Sequence, residues 1–246
     1  MNNHCIISGS DDKTLRIWDY ESGKFSQPLK GHTKRIYSIA VSPDGAFAVS
    51  GGNDKKICLW NITGRKCIQT IDSGHEESIR GLAWSLDDHW IVSSSNDYTL
   101  IRRSFDREKS QISEEFEQLS REHEDFIYSL AISGNNKYII TGSTDTDVGF
   151  WDIETKKLLA KARDHESFVW NVSAGPQTDG MFLAASTSSD STVKIWNVTE
   201  IKDEKVPLYA DFPVIPGINI VNCDFSEAKI ESEKLREMLA VNGGRV

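Results

Sequence analysis

Apolar residues along this chain come in short runs separated by clusters of Gly, Pro, Asp and Asn. Between positions 31 and 61 the runs are Ile36 to Val41, Ala46 to Val49 and Ile57 to Trp60, broken by Pro43-Asp44-Gly45 and by Gly51-Gly52-Asn53-Asp54. Runs of that length, rich in Ile, Val and Trp and closed by turn formers, predict strands joined by tight turns. Each such stretch reads as a small antiparallel sheet of four strands. One sheet of that size cannot bury both of its faces, so neighbouring sheets must stack around an axis.

The stretch repeats. Acidic residues stand in the turns at Asp12, Asp54, Asp97, Asp145 and Asp190, separated by 42, 43, 48 and 45 residues. Six residues after each come Trp18, Trp60, Arg103, Trp151 and Trp196, and four before each come Ser8, Ser50, Ser93, Thr141 and Ser186. His32, His75 and His123 each precede their hydroxyl residue by 18 positions, and His165 by 21. A period of about 40 to 45 residues with a Gly-His opening and a Trp-Asp closing marks a propeller blade.

On these residues the chain resembles the WD-repeat β-propeller family, and the resemblance covers nearly all of it. It implies an all-β fold, a β-propeller of four-stranded antiparallel blades, incomplete, with about five to six blades and ragged at both termini. It also implies a hydrogen-bonded relay in each blade: Asp54 to His32, His32 to Ser50 and Ser50 to Trp60 in the second, with the equivalent residues elsewhere. A His ring that meets a carboxylate on one nitrogen and a hydroxyl on the other is fully satisfied, as a buried polar group must be. Each bond contributes only about 0.5–3 kcal/mol net, so the relay fixes geometry more than it supplies stability.

The units fall at about 1–30, 31–73, 74–121, 122–163, 164–211 and 212–246, the first and last partial, within one domain of 1–246. The first lacks the repeat His and an innermost strand. The third carries Arg103 in the Trp place, where the stem covers apolar surface and the guanidinium seeks water or a carboxylate, so this blade is the expected weak sector. Between Arg107 and Asp125 lie seven acids and three bases, with Phe116 and Leu119 as the large anchors. That stretch reads as a surface loop or irregular outer strand, with a docking segment as the alternative. The three extra residues of the fifth unit are expected near Pro176 to Gly180, as a hairpin loop opposite the His and Asp turns. Beyond Trp196 the pattern decays. INIVNCDFS resembles an innermost strand, and EMLAVNGG a second one, with an amphipathic helix over Ala228 to Ala240 as a rival reading. The ring is expected to be open, or closed at five blades by INIVNCDFS.

Composition narrows the partners. The 246-residue chain carries a net charge of −9 with a pI near 5.2, and its basic residues form only short pairs such as Lys34-Arg35, Lys55-Lys56 and Arg102-Arg103. Nucleic acid is therefore not expected as the main ligand, since affinity there rests on neutralising phosphates. Cys5, Cys58, Cys67 and Cys223 show no CxxC spacing and no shared context, and read as free thiols without a zinc site. No apolar run approaches the 18 residues of a membrane span, and the first residues lack a signal peptide. An intracellular protein is expected, cytoplasmic or nuclear, with no metal, cofactor or small-molecule substrate. The Asn-x-Ser/Thr triplets at Asn61, Asn171 and Asn197 then carry no glycan, and Asn61 and Asn197 take the Asp place after the repeat Trp.

Five residues past each repeat His stand Tyr37, Arg80, Tyr128 and Trp170, and two positions earlier Arg35, Ser78, Phe126 and Phe168. The resemblance places them on the innermost strand, at the mouth of the central channel. Tyr, Trp, Phe and Arg are the residue types enriched at binding hot spots, which points to a surface docking proteins or peptides. The competing reading has them pack against adjacent blades. The expected role is a non-catalytic scaffold or adaptor, or else a regulatory or sensor segment of a longer multidomain protein. Some propellers of other families are hydrolases, but His, Ser and Asp that recur once per blade read as structure and not as a catalytic triad.

Overall fold

A computed structural model describes residues 5–19, 21–119, 121–178, 181–201 and 205–213. Among the described residues the regular secondary structure is almost entirely antiparallel strand, arranged in five sheets. Blade 1 holds β1 (Cys5–Gly9), β2 (Thr14–Asp19) and β3 (Leu29–Lys30). Blade 2 holds β4 (Ile36–Val41), β5 (Phe47–Gly52), β6 (Lys56–Asn61) and β7 (Lys66–Asp72). Blade 3 runs through β8 (Ile79–Trp84), β9 (Trp90–Ser95) and β10 (Leu100–Asp106), with β11 (Gln111–Ile112) and β12 (Glu117–Gln118) both pairing the outer side of β10. Blade 4 is β13 (Ile127–Ile132), β14 (Tyr138–Ser143), β15 (Val148–Asp152) and β16 (Leu158–Ala162). Blade 5 is β17 (Val169–Thr178), β18 (Met181–Ser188), β19 (Thr192–Asn197) and β20 (Leu208–Pro213).

The innermost strands β4, β8, β13 and β17 stand beside one another in that order, β1, the second-strand equivalent of blade 1, flanks β4, and the core lies between blades. Leu15 and Ile17 of blade 1 meet Ile36, Cys58 and Trp60 of blade 2. Val49, Leu59 and Ile71 meet Ile79, Trp84 and Phe105 of blade 3, and Val92 and Leu100 meet Ile127, Ile139 and Trp151 of blade 4. Phe150 and Ala160 meet Val172 and Trp196 of blade 5. Each blade thus removes from water a face that its neighbour could not cover alone, and burial at about 25 cal/mol per Å2 drives the stacking.

Turn chemistry repeats with the blades. The residue after each turn Asp has a positive φ: Lys13 (72°), Lys55 (62°), Tyr98 (69°), Thr146 (75°) and Ser191 (66°). A left-handed residue is costly for L-amino acids, and here five non-glycine side chains accept it at one equivalent position. The Asp carboxylate supplies the compensation by accepting the amide of the next residue, as at Thr14 (2.9 Å), Thr99 (3.0 Å), Asp147 (3.0 Å) and Thr192 (2.9 Å).

Four sequence expectations are corrected. Arg103 is buried, and among the described residues its guanidinium hydrogen-bonds backbone carbonyls and no carboxylate. It donates to the carbonyls of Ser113 (2.9 Å), Glu114 (2.5 Å) and Asp72 (2.8 Å), and it lies over the Phe116 ring at 4.8 Å. The outer strand of blade 3 is split around it, since a guanidinium draws in carbonyls that an ordinary ladder would use. In this segment Ile112 and Leu119 are the buried anchors, at 0% and 3% exposure, whereas Phe116 is 46% exposed. In blade 5 the extra residues lengthen β17 through a bulge between Ala174 and Gln177 instead of forming a loop. Cys58 and Cys67 do share a context: both thiols approach the Thr70 hydroxyl, at 3.4 and 3.5 Å. Contact with Cys67 together with burial pushes the Cys58 thiol up, and contact with Cys58 brings Cys67 down. The readings of INIVNCDFS, EMLAVNGG, the helix over Ala228 to Ala240, and Cys223 lie outside the described residues.

Arg103→Met keeps the apolar stem but strands three carbonyls. It should lower the free energy of unfolding by about 3 kcal/mol, measured by urea denaturation, and should speed proteolysis between Ser113 and Glu117. Unchanged stability would contradict this account of the split strand.

Candidate interaction surface

Four blades carry a buried relay with nearly constant geometry. His Nδ1 meets the Asp carboxylate at 2.9 Å (His32–Asp54), 3.0 Å (His75–Asp97), 2.7 Å (His123–Asp145) and 2.7 Å (His165–Asp190). His Nε2 meets the hydroxyl of Ser50, Ser93, Thr141 and Ser186 at 2.7, 2.8, 2.7 and 2.7 Å. The indole N–H of Trp60, Trp151 and Trp196 donates to Ser50, Thr141 and Ser186 at 2.7, 2.9 and 2.9 Å. An ionised carboxylate only accepts, so Nδ1 carries the proton, Nε2 accepts from the hydroxyl, and the hydroxyl oxygen accepts from the indole. In blade 1, which has no relay His among the described residues, Trp18 still donates to Ser8 at 2.8 Å, and Asp12 accepts from Thr14 and Arg16. In blade 3 the indole is absent and Ser93 keeps only His75 and a long contact to the Ile101 carbonyl.

Burial alone would push these carboxyls up, but their donors outweigh it. Asp97 is held well below the usual carboxylate range by its hydrogen bond and attraction to His75 with help from Thr99 and Glu76. Asp145 is lowered likewise by His123 and the amides of Glu124 and Asp147, and Asp190 by Thr192, His165 and Glu166. Asp54 moves in the same direction.

The amide after each His also donates to that carboxylate: Thr33 (2.8 Å), Glu76 (2.8 Å), Glu124 (3.0 Å) and Glu166 (3.0 Å). The relay thereby pins the loop that enters the inner strand. Just past this anchor each inner strand carries a bulge. The register jumps between Ile36 and Ser38, Ile79 and Gly81, Ile127 and Ser129, and Val169 and Asn171. The residues left without a cross-strand partner are Tyr37, Arg80, Tyr128 and Trp170. A bulge re-aims one side chain out of the ladder, and it does so here at the same place in four blades.

Those side chains form a continuous row. Arg80 lies between two rings, 4.3 Å from the Tyr37 centroid and 4.8 Å from that of Tyr128, with its Nε on the Asn96 side-chain oxygen at 2.9 Å. Tyr128 meets Trp170 edge to face at 5.0 Å and Phe126 at 6.4 Å, and Trp170 meets Phe168 edge to face at 6.0 Å. Trp170 and Phe168 are each 45% exposed. The row packs on itself across blades and still presents ring surface to solvent. Arg35 stands apart, paired with Asp11 at 3.4 Å. Ser78 is buried, with its hydroxyl on the Asn53 side chain at 2.9 Å.

Two members of the surface were missed in the sequence. Tyr98 stacks near Phe126 at 5.9 Å, and Arg121 lies over the Tyr98 ring at 5.1 Å. The available signal was a large aromatic residue in the left-handed turn position where the other units have Lys, Thr or Ser. A depression of about 300 Å3 at the split edge of blade 3 includes His89, Arg102, Phe116 and Glu117. Within it Glu117 pairs with Arg102 (2.7 Å) and Lys156 (2.8 Å). Among the described residues no helix is long and apolar enough to cross a membrane.

Stacked antiparallel blades with one buried Asp-His-Ser relay in four of them define a repeat-built β-propeller. The profile of the WD domain, G-beta repeat, matches residues 1–19, 23–61, 65–101, 116–152 and 156–197, and the chain belongs to this family. It is similar to small ribosomal subunit protein RACK1 of Neurospora crassa, 29% identical over 159 residues that cover 63% of this chain and 49% of that protein. It is similar also to a Periodic tryptophan protein 2 homolog of Caenorhabditis elegans, 25% identical over 193 residues, covering 78% of this chain and 20% of the relative. Cell division cycle 20.1, cofactor of APC complex, of Arabidopsis thaliana is 25% identical over 200 residues, covering 78% and 42%. The chain thus spans half or less of these relatives.

A carboxyl lowered by folding adds stability that is present above its unfolded value near pH 4 and is lost as pH falls toward the folded value. Unfolding free energy should therefore fall progressively below about pH 4. Asp145→Asn should cost about 2 kcal/mol at pH 7 and make that acid limb shallower, as read from denaturant unfolding between pH 2 and 7. An acid limb as steep as the parent's would contradict the assignment.

Proposed function

We propose that this chain is a non-catalytic docking platform that binds protein or peptide partners on the narrow face of the propeller. The observation that carries this reading is the row Tyr37, Arg80, Tyr128, Trp170, each at a bulge that turns it out of its sheet. Phe126 and Phe168 extend the row, and Arg35, which stands apart on Asp11, is a further candidate contact. Large rigid side chains of these types form contact area at low entropic cost, which is how binding hot spots are built. The names of two relatives, a small ribosomal subunit protein and a cofactor of the APC complex, fit work inside assemblies and an intracellular place.

Catalysis is not favoured. The relay His rings are shut away from solvent, and their nitrogens are spent on a carboxylate and a hydroxyl of the same blade. A nucleophile must reach a substrate, and these hydroxyls have no open side. A second reading, a regulatory or sensor segment of a longer multidomain protein, is supported by the 20% share of the Periodic tryptophan protein 2 homolog that the alignment covers.

Selection of an unbiased peptide display library on the immobilised chain tests the proposal. Peptides enriched on the parent should lose about tenfold in affinity on Trp170→Ala and on Arg80→Ala, with the thermal midpoint changed by no more than about 2 °C. Binding kept while the midpoint falls would mean that the row serves packing alone.

A further inference from the structure

The row contains its own precedent for a ligand. Its rings already hold two cations of the same chain: Arg80 between Tyr37 and Tyr128, and Arg121 on Tyr98. A guanidinium over an aromatic face gains from the ring quadrupole, and the row alternates ring and cation until it reaches blade 5. There Trp170 and Phe168, the most exposed rings of the set, carry no cation among the described residues. The Trp170 indole N–H donates to the Ser189 hydroxyl, which fixes the ring while 45% of the residue stays exposed.

Two exposed acids border this end. Glu124 and Glu166 are exposed, and their backbone amides are bound to Asp145 and Asp190, so the two side chains are held two residues before Phe126 and Phe168. Among the described residues neither makes an ion pair. The nearby cations are committed: Lys161 to Asp147 (3.1 Å) and Asp145 (3.7 Å), and Arg163 to Asp147 (3.5 Å). The whole chain, at −9, draws basic partners at long range.

We infer that the partner is an extended basic peptide that lays a lysine or arginine on the exposed ring surface of Trp170 and Phe168, with Glu124 and Glu166 as counter-charges. The inference rests on the docking reading and gives it a chemistry and a place, at blades 4 and 5 and off the axis. Arg80, pinned by two rings and Asn96, limits how far a second cation can advance toward blade 2.

The test uses the full chain, 15N-labelled, with the Trp170 indole resonance assigned through Trp170→Phe. Capped heptapeptides carrying three arginines, three lysines, three glutamates or three serines among glycines are titrated at two salt concentrations. The arginine and lysine peptides should shift the Trp170 indole and bind more weakly at higher salt. Trp170→Ala, and separately the pair Glu124→Gln with Glu166→Gln, should weaken them about fivefold. If the glutamate or serine peptide binds the row as well as the basic ones, and Trp170→Ala removes that binding, the inference is overturned and the docking reading stands. If no peptide perturbs the row, or if Trp170→Ala leaves all binding unchanged, both are overturned.

Discussion

The structure depends on where one buried carboxylate sends its two oxygens. In Asp97, Asp145 and Asp190 one oxygen takes the His Nδ1 proton and the amide that follows the His, and the other takes an amide two residues on in its own turn. A single side chain thus joins the loop entering the inner strand to the hairpin turn between the second and third strands. Half-satisfied, such a group would cost more than it gives. Fully satisfied, it leaves the turn, the ring and the hydroxyl one arrangement, and the indole closes the chain on the face that packs against the preceding blade.

That arrangement reaches the surface through the bulge. The pinned amide at Thr33, Glu76, Glu124 or Glu166 fixes the start of β4, β8, β13 or β17, and the extra residue follows four positions later. After the bulge the amides of Asn53, Asn96, Thr144 and Ser189 close back on the carbonyls of Arg35, Ser78, Phe126 and Phe168 at 2.9 to 3.0 Å. The exposed row is therefore held by the same device as the core, and its rings touch across blades because the device recurs at the same height in each.

Much of this was legible in the sequence, because the relay lies at fixed offsets within a unit: 18 residues from His32 to Ser50, four more to Asp54, six more to Trp60. What escaped reading depends on contacts between units or on backbone choices with no fixed offset. Arg103 could be recognised as a departure, but its carbonyl partners come from the end of β7 and from a strand that splits to meet it. Ile112 looked like loop because its neighbours are charged, yet Phe105 and Ile71 bury it. The long hairpin of blade 5 absorbed residues that a count assigns to a loop. The row itself was found by offset alone, and its bulges, which explain why those positions face outward, leave no mark in composition.

The directional relay is tested most directly by the protonation of four rings. Long-range 1H–15N spectra of the folded chain near pH 7 distinguish the two nitrogens of His32, His75, His123 and His165. The account predicts a proton on Nδ1 and a bare, accepting Nε2 in all four. A proton on Nε2 in any of them, or four rings in unlike states, would contradict it.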